Sequence, residues 1–552
     1  MIMRYAARNQ RDSLLGAFFS SAITRAVIMH ANSRFLIDSA LRLLFRAAIS
    51  LFLIEGIAFA NDGDPDATFA DNGTGYLGWS TLNLGQRATA VLSQPDGDII
   101  LVGNLTELVS GFGGSLTNSN AIAVARLLPN GQLDPTFGDT INTPGQTLIG
   151  SPPIASSTAF AAALSPNGQI VIAGSSVSIG IVSQQQASVW RLTSTGNLDA
   201  TFGDGAGQVI VGQSAQFNAV LIGDGSNLPV NEIVAGGYLF DPARGHNSQF
   251  IVRLATEGTI ETGYGNDTFA TGGNYWVGGV QCPDNQSDSE IVALAFNEQY
   301  LLGYVTSYLY AAGNCSSSSV VSESTVIAFS GSTIADTNFG NGGLGYFTFG
   351  NTIATEPSFT SGMQTHISSN GDMIITIAGY VEESSTPGET HVGVAQVLQN
   401  GQFNTAFGFS GHTTLDFGEC CAGDPTDQST AVAMLVQHDG NIVIGVSHLV
   451  SDGVSLRTFA LARLTALGAR DAAFAPGSQF GGTQTYYFEE FGGIENDSFS
   501  VPYAMAFTAG EKIVMTGYID DGSGNDYFSV LRVTNDRIFT DGFDGTPVPP
   551  PR

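Results

Sequence analysis

The stretch Leu133-Asp134-Pro135-Thr136-Phe137-Gly138 decides the fold, because its aspartate-aromatic pattern recurs along the chain seven times in all. The other strong copies are Pro65-Asp66-Ala67-Thr68-Phe69 and Leu198-Asp199-Ala200-Thr201-Phe202-Gly203, and weaker copies end at Tyr264, Phe339, Phe407 and Phe474. Successive aromatic residues of the pattern are 62 to 75 positions apart. A period of that size indicates one supersecondary unit that is repeated, rather than several unrelated domains.

Each repeat shows the same order of strands around a tight turn. The turn reads Pro95-Asp96-Gly97 in the first repeat and Pro166-Asn167-Gly168 in the second, and these residues tolerate the positive φ that two-residue hairpins need. Continuous β-branched runs follow at Ile99–Gly103 and Ile170–Gly174, which predicts strands buried on both faces. A third strand contains a repeated arginine, and a fourth follows the aspartate-aromatic turn. Four antiparallel strands per repeat predict a propeller blade.

The phase of the repeat predicts how the ring closes. The pattern begins with the turn at Asp66–Phe69 and a lone strand near Gly75–Trp79, and it ends after a three-strand set at about Val533. We therefore predict an all-β fold, a seven-bladed β-propeller of about 68-residue repeats over residues 61–536, in which the N-terminal strand completes the last blade. Residues 1–60 form a leader before the propeller, and residues 537–552 form an extended, proline-rich tail after it. This tail is either a sorting segment or a frayed end of the chain.

The motif set resembles the delta-60 repeat family of bacterial exported proteins. The resemblance rests on Pro95-Asp96-Gly97-Asp98-Ile99, Ala125-Arg126-Leu127 and the stretch Leu133–Gly138, and it covers roughly residues 64–535. Blades 3 and 4 depart from the pattern, because Asn231-Glu232 and Glu298-Gln299 replace the turn. The resemblance implies a propeller-like repeat fold and no established activity.

Residues Leu41–Ala60 have the layout of an export signal. Arg42 and Arg46 form a positive flank, an apolar run follows, and Ala58-Phe59-Ala60 is a small-x-small cleavage site. We expect cleavage after Ala60 and a periplasmic, cell-surface or extracellular location, with Met29 as an alternative start; the other interpretation is a buried helix at the start of the domain. The apolar run is too short to cross a bilayer, so no transmembrane segment is expected in the mature chain.

The charge of the mature chain limits its partners. After Ala60 the chain holds 12 basic and 46 acidic residues, a net charge near −34, which disfavours nucleic acid as a ligand. Such a surface attracts cations, and an acidic loop with oxygen ligands on alternate residues predicts a calcium site. Its candidate ligands are Asp62, Asp64, Asp66 and Asp71. Ordinary solvated turns are the alternative interpretation, and apart from calcium no cofactor is expected.

The four cysteines are compatible with an oxidising compartment. Cys282 and Cys315 flank two antiparallel strands of one repeat, so a disulfide between them is expected. The adjacent Cys420 and Cys421 form either a strained ring or two thiols, and the sequence leaves this open.

The repeated polar residues favour architecture over catalysis. Asp134 and Asp199 are expected to form turns, and the repeated arginines are expected to pair with such aspartates: Arg126, Arg191, Arg253, Arg463 and Arg532. The stretch Gly340–Gly345 matches a dinucleotide-binding fingerprint by letter, but it lacks the required strand before it and helix after it. No nucleophile elbow or zinc-protease motif occurs, so no catalytic or cofactor-binding residue is assigned.

Two classes of function remain. The first is a monomeric, non-enzymatic binding or scaffold protein that uses the propeller loops and the central channel to hold a protein or glycan partner. The alternative is a secreted polysaccharide hydrolase or lyase with acidic residues at the channel mouth. Convergent carboxylates in a deep pocket would favour the enzyme.

Overall fold

The structure is a computed structural model, and its described part consists almost entirely of strands and turns. The described residues are 61–78, 83–110, 116–150, 155–178, 184–225, 228–242, 245–262, 267–268, 274–278, 288–296, 308–316, 323–330, 334–336, 338–340, 344–349, 357–382, 389–417, 428–451, 455–476, 478, 481–488, 499–521 and 525–535. Within these ranges there is no helix that could cross a membrane. The predicted export signal and the proline-rich tail lie outside them, as do Cys282, Cys420 and Cys421.

The strands form seven antiparallel sheets. A lone first strand is β1 (Thr74–Leu77). Blade 1 contains β2 (Asn83–Ser93), β3 (Ile99–Ser110), β4 (Leu116–Leu127) and β5 (Gln146–Ile149). Blade 2 contains β6 (Ala155–Leu164), β7 (Ile170–Ser178), β8 (Gln185–Leu192) and β9 (Gln208–Val211). Blade 3 contains β10 (Ala215–Ile222), β11 (Ile233–Asp241), β12 (His246–Leu254), β13 (Asp267–Thr268) and β14 (Asn274–Gly278).

The remaining blades follow the same order. Blade 4 contains β15 (Asp288–Phe296), β16 (Tyr308–Ser316), β17 (Glu323–Ser330), β18 (Ile334–Ala335) and β19 (Leu344–Phe347). Blade 5 contains β20 (Ser358–Ile367), β21 (Met373–Glu382), β22 (Thr390–Leu398) and β23 (His412–Leu415). Blade 6 contains β24 (Ser429–Val436), β25 (Ile442–Ser451), β26 (Ser455–Leu464) and β27 (Thr483–Tyr486). Blade 7 contains β28 (Ser500–Phe507), β29 (Ile513–Asp520) and β30 (Asp526–Val533). The additional short strands β13 and β18 lie in the two blades whose motifs depart most from the repeat.

The N-terminal strand completes blade 7, as the phase of the repeat predicts. The sheet order is β1-β30-β29-β28, and Gly75 in β1 pairs antiparallel with Val530 in β30. The first strand of blade 1 contacts the first strand of blade 7, and the first strands of all other neighbouring blades also touch. The seven first strands therefore surround the axis of a closed ring, which confirms the seven-bladed β-propeller.

The hydrophobic cores lie between blades rather than inside them. Each of seven buried clusters combines side chains of two neighbouring blades. In β3, Ile99 and Leu101 pack towards blade 7, whereas Ile100 and Val102 pack towards blade 2. This arrangement explains the continuous β-branched runs in the sequence, because both faces of each second strand are covered by a neighbour.

In four blades, a repeated arginine and its aspartate join the blade to the next one. In blade 2, Arg191 Nε donates to Asp199 Oδ2 over 2.8 Å, and Asp199 Oδ1 accepts the Thr201 amide at 2.9 Å. The guanidinium lies 4.6 Å from the ring centroid of Phe202, and it also donates to the Thr256 carbonyl in blade 3. Equivalent pairs are Arg126–Asp134, Arg463–Asp471 and Arg532–Asp66. The predicted role of these aspartates as turn formers is confirmed.

The expected aspartate partner is wrong for Arg253. Its Nε donates to Glu232 Oε2 over 2.9 Å and lies 3.1 Å from Glu261 Oε2. The third repeat carries Glu261 where five of the other repeats carry the aspartate, and Glu232 approaches from the preceding hairpin turn. Blade 5 uses an uncharged version, in which Asn404 Nδ2 donates to Gln396 Oε1 over 2.9 Å.

Residues at both ends of the described chain rebuild one hairpin turn of the repeat. In blade 1, the Gly131 amide donates to the Leu128 carbonyl within a continuous chain. In blade 7, the equivalent bond runs from the Gly63 amide to the Thr534 carbonyl over 2.9 Å, and the Thr534 amide donates to the Asp64 carbonyl over 2.8 Å. We call this junction, residues 61–66 with 532–535, the seam. Because backbone pairing between distant parts of the sequence holds it, the ring closes here without a covalent link.

Candidate functional site

A β-bulge occurs in the first strand of every blade. In β2, Ala88 pairs with Gly103 and Ala90 with Val102, so Thr89 is an extra residue without a partner in the pairing. The same register shift appears in the six other first strands. The seven extra residues are Thr89, Phe160, Asn218, Val292, Ser361, Val432 and Tyr503. A bulge re-aims its side chain, and three of these residues, Thr89, Phe160 and Tyr503, line one cavity.

Glycines in the second strands make the bulges sterically feasible. In six blades, a glycine pairs with the residue just before the bulge, and a Cβ on it would overlap a carbonyl oxygen of the first strand. These residues are Gly103, Gly174, Gly237, Gly313, Gly379 and Gly517. Blade 6 has Val446 at this position, opposite Ala431. The sequence contained this signal, because most of the β-branched runs end in glycine.

A cavity of about 580 Å³ opens where blades 7, 1 and 2 meet at the channel. We call it the channel cavity. Its lining residues are Gly85, Arg87, Thr89, Asn104, Thr106, Asn120, Phe160, Tyr503 and Asp526. Phe160 and Tyr503 are both 37% exposed although they are large aromatic residues. Exposed aromatic rings beside polar groups in a concavity are typical of ligand sites.

An arginine paired with a carboxylate, and a tyrosine that stacks on a second tyrosine, form one wall of the cavity. Arg87 Nε donates to Asp526 Oδ2 over 2.8 Å, and its guanidinium lies 4.4 Å from the ring centroid of Tyr518. Tyr518 stacks on Tyr503 with 6.0 Å between ring centroids. Burial raises the pKa of Tyr518 to about 12, so its hydroxyl stays protonated at neutral pH. Burial also raises the pKa of Asp526, and the hydrogen bond from Arg87 opposes that shift.

Asparagines hold the opposite wall of the cavity in place. Asn104 Nδ2 donates to the Ala159 carbonyl over 2.9 Å, and its Oδ1 accepts the Ala159 amide at 2.7 Å. Asn120 Nδ2 donates to Thr158 Oγ1 over 3.1 Å. In blade 4, Asn314 accepts the Thr360 amide at 2.7 Å in the same way. These asparagines therefore clamp a neighbouring blade beside its bulge, which makes them structural supports of the site.

The far side of the channel carries a carboxylate. Glu290 in β15 occupies the same position relative to the bulge as Arg87 in β2. Burial raises the pKa of Glu290, and the hydrogen bond from Asn218 Nδ2, 3.1 Å long, opposes that shift. Within the described ranges Glu290 has no cationic partner. At this position blade 1 thus has an arginine paired with Asp526, and blade 4 has a carboxylate.

The four predicted calcium ligands lie in or beside the seam, where most of their carboxylates have other partners. Asp66 is buried and binds Arg532 and Lys512, while Asp62 Oδ2 accepts from Arg463 Nη1 over 2.8 Å. Asp64 Oδ2 accepts the Asn61 amide at 2.6 Å. Asp71 lies in an exposed turn before β1. Among the described residues, no three His, Cys, Asp or Glu side chains are grouped for a metal, and the calcium site stays a prediction.

Cys315 is disulfide-bonded. Its expected partner, Cys282, lies outside the described residues, so the predicted pairing stays a prediction.

The fold and its repeated motifs define a repeat β-propeller, and comparison with known families agrees with that class. The model of a family described as "Domain of unknown function (DUF5122) beta-propeller" matches residues 94–137 and 165–202. Both segments lie in blades 1 and 2, where the repeat motif is most complete. The narrower delta-60 assignment stays a prediction.

The solved structures to which this chain is similar are distant. A mannose phosphorylase from Leishmania mexicana is 9% identical, with 55% of this chain and 79% of that chain covered and a TM-score of 0.24. A glucose dehydrogenase is 12% identical, with 52% and 78% covered and a TM-score of 0.24. A leech intramolecular trans-sialidase is 12% identical, with 81% and 68% covered and a TM-score of 0.32. Similarity at this level carries no argument about function, and no curated protein matches the chain.

Proposed function

We propose that this protein is a non-enzymatic binding protein whose channel cavity holds a glycan. The observation that carries the proposal is the combination of exposed Phe160 and Tyr503 with the half-exposed guanidinium of Arg87 in one cavity. A sugar ring presents C–H groups on its faces and hydroxyl groups around its edge. Aromatic rings pack against such faces, and a guanidinium donates to the hydroxyl oxygens.

The rigidity of the site supports a binding role. Asn104 bridges blades 1 and 2, and the Arg87–Asp526 pair joins blades 1 and 7. A preorganised site loses little conformational entropy when it binds a ligand. The cavity is also large enough for one or two sugar rings, by comparison with the usual 300–1,000 Å³ or so of small-molecule sites.

Hydrolysis of a polysaccharide is the second candidate, and the cavity favours it less. Most glycoside hydrolases need two carboxyl groups about 5–9.5 Å apart, one of them free to act as an acid. The residues that line the cavity include one carboxylate, Asp526, and it is paired with Arg87. We therefore expect binding without turnover.

The test is a glycan-binding screen followed by titration of the purified protein. Tyr503→Ala should weaken binding about tenfold or more, because the exposed ring and its stack on Tyr518 are lost together. Val292→Ala is the matched control, since it changes the same bulge position in blade 4, away from the cavity. Equal affinity of both variants and wild type would contradict the proposed site, and release of shorter products from the bound glycan would replace it with the hydrolase or lyase.

We also propose that the chain is exported, cleaved after Ala60 and active as a monomer. The leader pattern and the disulfide at Cys315 support export. N-terminal sequencing of secreted material should begin at Asn61, and light scattering should give the mass of one mature chain. A mature protein that retains Arg42 would contradict the cleavage.

A further inference from the structure

We propose that the glycan held by the channel cavity is acidic, and that Arg87 binds its carboxylate while the Tyr503–Tyr518 stack supports its ring. The inference rests on the proposed function, because it specifies the chemical class of the ligand of that same cavity. It depends on the exposure of Arg87, on its remaining hydrogen-bond donors and on the placement of the few basic residues of the chain.

Arg87 differs from the repeated arginines in its exposure. The side chains of the five repeated arginines are 4–16% exposed, and each is held between a carboxylate and the edge of a blade. The Arg87 side chain is 50% exposed, although it also has a carboxylate partner. An arginine needed only for the blade junction would be covered like the others. The exposed part of the Arg87 side chain therefore faces the solvent in the cavity that Arg87 lines.

The hydrogen-bond donors of Arg87 leave room for a second carboxylate. A guanidinium has five N–H donors, and the bond to Asp526 comes from Nε. Arg87 also forms a side-chain hydrogen bond with Tyr503. The other N–H groups on its two Nη atoms remain for a ligand, and a guanidinium can bind a carboxylate there through two parallel bonds. Asp526 and the Tyr518 ring fix the plane of the guanidinium before a ligand arrives. The geometry is thus preorganised for an anion.

A second arginine also acts on this wall. Arg457 in β26 donates to Ser447 Oγ and Gln428 Oε1 over 3.2 and 3.1 Å. The positive charges of Arg87 and Arg457 both favour ionisation of the Tyr503 hydroxyl, whose pKa is raised chiefly by burial. Two cations therefore act at Tyr503 against the carboxylate of Asp526. Because Asp520 and Asp521 also act on Asp526, the wall has no net positive charge, and an anion would be selected by the hydrogen bonds of the Arg87 guanidinium.

The experiment compares sugars that differ only in charge. Oligogalacturonate, its methyl ester and a poly-glutamate peptide are titrated into the wild-type protein by calorimetry at low and at high salt. We expect oligogalacturonate to bind at least about tenfold more tightly than the ester, with a preference that shrinks at high salt because part of it is electrostatic. Arg87→Gln should remove the preference while the ester still binds, and Arg87→Lys should keep part of it.

Variants separate this inference from a folding defect and from the proposed function. Asp526 loses its partner in Arg87→Gln, so the double variant with Asp526→Asn tests the same loss without an unpaired carboxylate. Equal affinity for the two sugars in the wild type would overturn the acidic ligand, while loss of ester binding in Tyr503→Ala would still support the glycan site. No binding of either sugar would overturn the acidic ligand, whereas the proposed function would be overturned only if the glycan-binding screen also found no ligand. Binding of poly-glutamate alone would make the ligand an acidic peptide instead.

Discussion

The seam is the point where we expect the ring to open first, and Asp66→Ala tests this. Asp66 is 2% exposed, and its carboxylate binds Arg532 Nε at 2.7 Å and Lys512 Nζ at 2.8 Å. Lys512 is the only lysine of the chain. The same carboxylate accepts the amide and the hydroxyl of Thr68, which forms the turn before β1. One substitution therefore removes a turn and leaves two cations without their shared partner.

The cost follows from burial. Removing one member of a buried ion pair costs about 3–5 kcal/mol, because the remaining charge stays desolvated. We expect about 3 kcal/mol, the lower end, because Lys512 is one-third exposed and keeps part of its hydration. These contacts also hold the pKa of Asp66 well below its usual range, although burial opposes the shift. A lowered carboxylate pKa stabilises the fold above the unfolded-state pKa, so this contribution is lost as the pH falls through the folded-state pKa.

Hydrogen exchange with mass spectrometry distinguishes opening of the seam from a general loss of stability. Asp199→Ala is the matched control, because Asp199 binds Arg191 and Gln169 in the same way within a continuous chain. Both variants should lower the melting temperature by similar amounts. In Asp66→Ala alone, the amides that pair β1 with β30 should exchange roughly a hundredfold faster, since 3 kcal/mol is about two powers of ten. Equal acceleration of β1 and β9 in both variants would refute the idea that the seam opens first.

Three further predictions follow from particular residues. Gly174→Ala should destabilise the fold by about 1–3 kcal/mol, because its Cβ would overlap the Thr158 carbonyl, whereas Gly510→Ala has open space and should change the denaturant midpoint little. Burial lowers the pKa of His448 from 6.5 to about 4, so between these pH values the imidazole is protonated in the unfolded chain but not in the folded one. The melting temperature should therefore rise as the pH is raised from 4 to 6.5, and His448→Gln should make it depend less on pH in that range. If calcium binds the seam, a chelator should lower the melting temperature, and an unchanged melt would leave the four aspartates as turn formers and ion-pair partners.

The ring could be predicted from the sequence because its signal is periodic. Phe69, Phe137 and Phe202 mark equivalent turns, and the position of the lone strand before the first complete repeat determined which blade it completes. The partners of Arg253 could not be predicted, because the third repeat has Glu261 in place of the aspartate. In addition, Glu232 of the preceding hairpin turn contacts the arginine. The pattern identifies a position within the repeat, but the side chain that fills it depends on contacts across blades.

The channel cavity was not predicted for a different physical reason. Arg87, Phe160, Tyr503 and Asp526 are far apart in the sequence and belong to three blades. A bulge inserts one residue into a period-two pattern, so Phe160 looks like an ordinary strand residue until the pairing of β6 with β7 is known. The glycines at the bulges were visible in the sequence, but only the close approach of the neighbouring carbonyl shows why they are needed.

The bulges give each blade one position that the strand pairing does not use. The side chain there belongs to a residue without a partner in the ladder. Threonine, phenylalanine, asparagine, valine, serine and tyrosine already share this position in one molecule. Thr89 and Asn218 bind carbonyls of the next blade from this position, whereas Phe160 and Tyr503 line the cavity. The same position of the repeat can therefore serve either the junction between blades or the cavity, and the residue type decides which.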